Sequence, residues 1–210
     1  MMTYDNPYTH MECAILVYDG FDDLDALGPF EVFSHARKQG ADLDVGLYTL
    51  DEQDHVVTSH GLRIEPVELL PESPDLVVVP GGGWSTPDPE SARGEAERGD
   101  IPDALGRLAT HGTVIASVCT GGMLLAEAGL TDDRPAITHH SAVEDLRASG
   151  ADVVEARVVD DGDIVTAGGI TAGIDLALHL LEREFGTDTA QRVATTMEYE
   201  RADVVVTKEL

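Results

Sequence analysis

At 210 residues, with 42% hydrophobic residues and 21 glycines, the chain has the material for one globular domain with a full core. Its 40 Asp and Glu against 13 Lys and Arg give a formal charge of −27, which argues against nucleic acid as a partner, because phosphate contacts need a basic face. No apolar stretch has the length of a membrane span, and the two cysteines form neither a disulfide framework nor a metal-ligand pattern.

Residues 1–10 are polar, lack a signal-peptide pattern and read as a short arm; residues 11–210 read as a single domain. Cys13 to Tyr18 is an apolar run suited to a strand buried on both faces, and there Cys13 reads as a small core residue. Asp22 to Gln39 predicts a helix that breaks or restarts at Gly28-Pro29. Val45 to Leu50 is the next strand. One or two short strands are expected within Asp51 to Glu68, and a strong strand over Asp75 to Val79 ends at Pro80-Gly81-Gly82-Gly83. Trp84 to Asp100, rich in Pro, Gly and acid, reads as an exposed loop before a helix over Pro102 to Thr110.

Thr113 to Val118 is a β-branched strand that meets Cys119, followed by Thr120, Gly121-Gly122 and a helical stretch to Ala128. Further helices are expected over Ser141 to Ser149, Thr171 to Phe185 and Thr187 to Tyr199. A pair of strands, Val153 to Val159 and Asp163 to Thr166, is joined through Asp161-Gly162. Alternating strands and helices imply an α/β fold, a mostly parallel sheet with helices on both faces. Such sheets carry their sites at the carboxyl ends of strands, so the residues after Val79, Val118 and Thr166 are expected to converge on one crevice.

Besides the corner at Cys119, four segments bear on chemistry. A thiol at a strand-to-helix corner is presented to solvent and faces a helix N-terminus, which favours the nucleophilic thiolate. Asp25, ahead of Gly28-Pro29, is either a helix-capping residue, a role Asp22 or Asp23 fills better, or a semi-buried acid or base beside the thiol. Gly81 and Gly82 form either a tight turn or a set of amides that stabilise negative charge. His139 and His140 are either structural or a base, ligand or substrate contact. The run Gly168 to Asp175 lacks the Lys of a P-loop and the dinucleotide spacing; it reads as structural, with Thr171 as an N-cap. Glu198-Tyr199 reads as solvated surface.

The acidic residues are spread along the chain rather than gathered in a tail, and Lys occurs only at Lys38 and Lys208. Such a surface repels itself at low salt; at about 1 M salt the Debye length of about 3 Å screens the repulsion. A cytoplasmic protein of a salt-accumulating organism is expected, the alternative being an acidic face for a basic partner.

Asp25-Ala26-Leu27-Gly28-Pro29, Val79-Pro80-Gly81-Gly82, Ala116-Ser117-Val118-Cys119-Thr120-Gly121, Thr138-His139 and Gly169 to Asp175 occur in this order. Together they resemble the ThiJ/PfpI superfamily of glutamine amidotransferase-like proteins, over Cys13 to Tyr199. Within it the set is similar to the isocyanide hydratase branch and to the amidase-like domain of AraC-type regulators. The resemblance implies a flavodoxin-like three-layer sandwich with a cysteine nucleophile elbow. It implies a homodimer with the active site near its interface, a small-molecule substrate, no metal and no organic cofactor. It makes Cys119 the nucleophile and Asp25 the acidic residue beside it. Thr120 supplies a backbone amide and a hydroxyl, and Gly81 and Gly82 line the pocket with their amides.

There are departures from the pattern. Peptidase-like members carry His directly after the cysteine, where this chain has Thr120. Hydratase-like members often carry Trp after Thr-His, where this chain has His140. The regulators append a helix-turn-helix domain, for which no room is expected before Leu210. Three activities follow: hydration of an isocyanide to an N-substituted formamide through a thioimidate, a glutathione-independent glyoxalase-like conversion using His139 or His140, or non-enzymatic redox sensing or small-molecule binding through a reactive thiol.

Overall fold

The computed structural model describes residues 10–65, 68–202 and 205–207; apart from His10, the expected polar arm lies outside them. In chain order the strands are β1 (Met11–Leu16), β2 (Leu43–Thr49), β3 (Val56–Val57), β4 (Arg63–Ile64), β5 (Glu68–Leu69), β6 (Leu76–Val79), β7 (Val114–Val118), β8 (Pro135–Ala136), β9 (Asp152–Val153), β10 (Val158–Asp160), β11 (Ile164–Ala167) and β12 (Val205–Thr207). The α-helices are α1 (Asp23–Lys38), α2 (Ala92–Arg98), α3 (Asp100–Thr110), α4 (Gly121–Glu127), α5 (Val143–Ala148), α6 (Ala172–Phe185) and α7 (Thr187–Thr196).

Among the described residues eight strands form one sheet in the order β12–β10–β11–β7–β6–β1–β2–β5. Every neighbouring pair is parallel except β10 and β11, the hairpin that turns through Asp161-Gly162. One group of helices, α1, α6 and α7, packs together, and a second, α2, α3 and α4, packs together. The sheet lies between them, giving the three-layer α/β sandwich. The central strands are apolar on both faces: Ala14, Ile15, Val77, Val78, Ile115 and Ala116 are all buried, as a parallel sheet covered on both sides requires.

Several expectations are corrected. Helix α1 runs unbroken through Gly28-Pro29. The missing N–H of Pro29 leaves one turn unpaired, but the pair makes a close helix crossing. A Cβ on Gly28 would stand 3.3 Å from Ile174, and one on Gly173 would stand 3.3 Å from the Pro29 ring. The stretch read as an exposed loop contains α2. Ser91 caps it by accepting the Gly94 N–H at 3.1 Å, and Ala92, Gly94 and Ala96 face the core. Acid and glycine hid a short apolar face. The strand expected over Val153 to Val159 is two: β9 pairs with β8 outside the main sheet, and β10 lies within it. Strand β12, which pairs with β10, had no counterpart in the expected elements. Tyr199 is not solvated surface, for its hydroxyl donates to buried Asp175 at 2.8 Å.

Candidate active site

Strand β7 ends at Val118, and Cys119 takes φ 58. A left-handed conformation at a non-glycine residue costs about 1–3 kcal/mol and persists only where the surroundings enforce it. Here the Cys119 N–H donates to the carbonyls of Gly168 at 2.8 Å and Ala167 at 3.2 Å. The Thr138 hydroxyl donates to the Cys119 carbonyl at 2.8 Å. Helix α4 then starts at Gly121, where a Cβ would lie 2.2 Å from the Val79 carbonyl. Glycine is required for the elbow to lie against β6.

Cys119 lines a crevice of about 540 Å³ and is only 7% exposed, so it is less open to solvent than an elbow alone implies. Burial, then the charge of Asp25, push it up to about 12, against the hydrogen bonds from the backbone N–H groups of Ile170 and Thr120. Desolvation and a neighbouring carboxylate thus oppose the thiolate that a helix N-terminus and the two amides favour.

Asp25 is 0% exposed in the first turn of α1. Asp22 is the N-cap, accepting the Leu24 N–H at 3.2 Å, which leaves Asp25 free of a capping role. Its Oδ2 accepts the Gly81 N–H at 3.0 Å, and its Oδ1 has no partner of full hydrogen-bond geometry. Burial and then the charge of Asp22 push its carboxyl up to about 7, opposed by the Gly81 N–H and by the Cys119 thiol. The two groups are coupled and titrate as a pair.

Gly81 and Gly82 adjoin the site, but their amides are committed. Gly81 orients Asp25, and the Gly82 N–H donates to Thr120 Oγ1 at 3.0 Å. A Cβ on Gly81 would lie 2.5 Å from both the amide and the hydroxyl of Thr120, so glycine lets β6 and the elbow touch. The Thr120 side chain thus ties the elbow to β6 while its N–H points at sulfur.

The two histidines part company. His139 lines the same crevice as Cys119, its Nδ1 within 2.8 Å of Ser141 Oγ. Burial and then His140 lower its pKa. His140 lines a separate open depression beside Arg157 and Gly168. The largest influences on the thiol are burial, the carboxylates of Asp25 and Asp22 and the two amides.

Ile170 is the residue that sequence reasoning missed. It carries φ 43, unusual for a β-branched side chain, and its N–H reaches sulfur. The run Gly168 to Asp175 is otherwise structural, as expected. Arg157 braces it, its carbonyl accepting the Gly168 N–H at 3.0 Å and its guanidinium donating to Thr171 Oγ1 at 2.8 Å and pairing with Asp175. Thr171 accordingly makes no capping bond. The available signal was the Gly168-Gly169 pair, which marks a turn ahead of the helix.

Among the described residues no group of three or more His, Cys, Asp or Glu is placed to hold a metal ion, and no helix is long and apolar enough to cross a membrane.

The model of the DJ-1/PfpI family matches residues 11–183. The chain is 35% identical to an isonitrile hydratase of Pseudomonas putida over 191 residues, covering 90% of this chain and 78% of that protein. It is 26% identical to a deglycase of Thermococcus kodakarensis, covering 75% of this chain and 89% of the other. Among solved structures, a ThiJ/PfpI family protein from Pseudomonas syringae superposes with a TM-score of 0.81 at 24% identity, over 96% of this chain and 83% of that one.

Proposed function

The chain belongs to the DJ-1/PfpI family, and from that premise we propose that it is a cysteine-dependent isocyanide hydratase. The observation that carries this reading is the buried carboxyl of Asp25 beside the Cys119 thiol, with its pKa raised to about 7. A carboxylate of that strength is a competent proton carrier at neutral pH.

Sulfur becomes nucleophilic as its proton passes to Asp25. Sulfur bonds to the terminal carbon of the isocyanide, and Asp25 returns the proton to that same carbon, giving a thioimidate. The N–H groups of Thr120 and Ile170 stabilise the negative charge that sulfur carries on the way. Water then adds to the thioimidate carbon, nitrogen takes a proton, and the C–S bond breaks. An N-substituted formamide leaves and sulfur recovers its proton. One isocyanide and one water give one formamide, with no oxidant or reductant.

The test is purified protein at high salt with a simple alkyl isocyanide, read by mass spectrometry of the formamide. Formation that depends on Cys119 is expected; equal rates from Cys119→Ala would overturn the reading.

A second reading, a glutathione-independent glyoxalase-like activity, draws on His139, which shares the crevice, and on the similarity to a deglycase. Lactate from methylglyoxal, lost in His139→Gln, would favour it. The reading extends to a homodimer, on the family resemblance alone, and to a salt-rich cytoplasm, supported by the spread of acidic residues along the chain. Light scattering across a salt series tests the oligomer.

A further inference from the structure

The crevice above Cys119 has a one-sided charge. Asp22, at the start of α1, Asp88 and Glu90, on the loop after β6, all line it. The charge of Asp22 reaches the centre, for it raises Cys119, Asp25 and His139 alike. No Lys or Arg is among the described residues that line it. The one histidine there, His139, has its pKa lowered by burial and then by His140, against the charge of Asp22. His60 lies beyond the adjoining Ser59 and is paired with Asp23 at 2.5 Å, so its charge is already answered.

Trp84 borders the same space, its Nε1–H donating to Asp145 at 2.7 Å. An indole draws a cation over its face. Like charges around a concave, low-dielectric wall focus their field into the opening.

We propose that this crevice selects substrates that carry a protonated amine remote from the reacting carbon, and turns away substrates that carry a carboxylate. The inference rests on the hydratase reading for the reacting group alone; the charge selection belongs to the approach to Cys119.

Two charged thiol reagents of equal size test it on the whole protein: the trimethylammonium-ethyl and sulfonato-ethyl methanethiosulfonates. Each transfers its thioalkyl group to sulfur and releases methanesulfinate, and each rate is normalised to that of a free small thiol. Cys13 is 0% exposed, and Cys119→Ser gives the background. At the lowest salt where the protein stays folded, the cation should react about tenfold or more faster than the anion. The ratio should shrink as added salt screens the carboxylates. Asp22→Asn, which keeps a capping side chain, and Glu90→Gln should each lower the ratio. Asp103→Asn, an exposed charge on α3, should not.

Equal normalised rates, or an equal fall in Asp103→Asn, would overturn the proposal, the latter because net charge alone would then explain the bias. The parallel arm offers matched isocyanides ending in ammonium or carboxylate. Faster formamide from the ammonium compound supports both readings. Faster formamide from the carboxylate compound overturns the selection. Formamide from neither overturns the hydratase reading and leaves the selection to be judged by the labelling ratio.

Discussion

Cys13 and Cys119 are both buried thiols of one sheet, on β1 and just past β7 with β6 between them, and burial raises the pKa of both, but the polar groups around them differ. Cys13 lies inside β1, flanked by Val45 on β2 and Leu76 on β6. It is 0% exposed, and burial alone pushes its thiol far up. Cys119 stands one residue past the end of β7, in a left-handed conformation, with two backbone amides on its sulfur and a carboxyl beside it. Inside a sheet the backbone polar groups are spent on the ladder, so no backbone N–H is left for the sulfur of Cys13. At the carboxyl edge the ladder ends, and the loops after β1, β6, β7 and β11 bring unspent N–H groups and side chains to one place.

The contrast is open to test, and the largest effect should come from the thiol itself. Cys119→Ala should lower formamide formation by a factor on the order of 10³ or more, since residues acting as one unit fail together. Cys13→Ala should leave that rate unchanged. A comparable loss in both variants would erase the distinction.

Asp25→Asn should cost about 10²–10⁴ in rate, the usual worth of a positioned acid or base. The wild-type rate should rise with pH through about 7 as Asp25 ionises, and that limb should vanish in the variant. Stability should move the other way. The folded pKa of about 7 lies above the ordinary 3.8. The cost of ionising Asp25 is therefore absent below about pH 4, grows as pH rises through 7, and is complete above it. At pH 8 Asp25→Asn should be more stable by roughly 4 kcal/mol at most, with the gap closing towards pH 4. Thermal melts across that range check the sign.

Cys13→Ser places a hydroxyl among apolar neighbours and should cost about 1–3 kcal/mol in denaturant unfolding, with full activity. Gly81→Ala forces a Cβ to within 2.5 Å of Thr120. It should destabilise by about 1–3 kcal/mol and slow the reaction by shifting both Asp25 and the elbow. His139→Gln should have the smallest effect on hydration, within about tenfold. A loss of about 10²–10⁴ would mark His139 as the proton carrier instead.

Much of this arrangement could be read from the residues in order. Apolar runs marked β1, β6 and β7, and the strand ends at Val79, Val118 and Thr166 do converge. Asp22, one of the two candidates with Asp23, caps α1, which left Asp25 for another role. What stayed hidden had opposing local signals. Helix α2 was masked by acid and glycine around a short apolar face. Pro29 signalled a break in a helix whose packing against α6 overrides it. Tyr199 looked like surface because Asp175, its partner, is distant in sequence.

The sequence by itself determined the layered α/β fold and the strand-to-helix corner at Cys119, because both depend on patterns within a few residues of one another. Tertiary structure alone decided the direction in which the thiol at that corner is shifted. Burial and Asp25, 94 residues earlier in the chain, hold the thiol up at about 12 where a helix N-terminus would draw it down. It also sent His139 and His140 to different cavities, spent the amides of Gly81 and Gly82 on Asp25 and Thr120, and brought the Ile170 N–H to sulfur. Desolvation and hydrogen-bond partnership depend on what surrounds a group from every side, and no local run of residues carries that information.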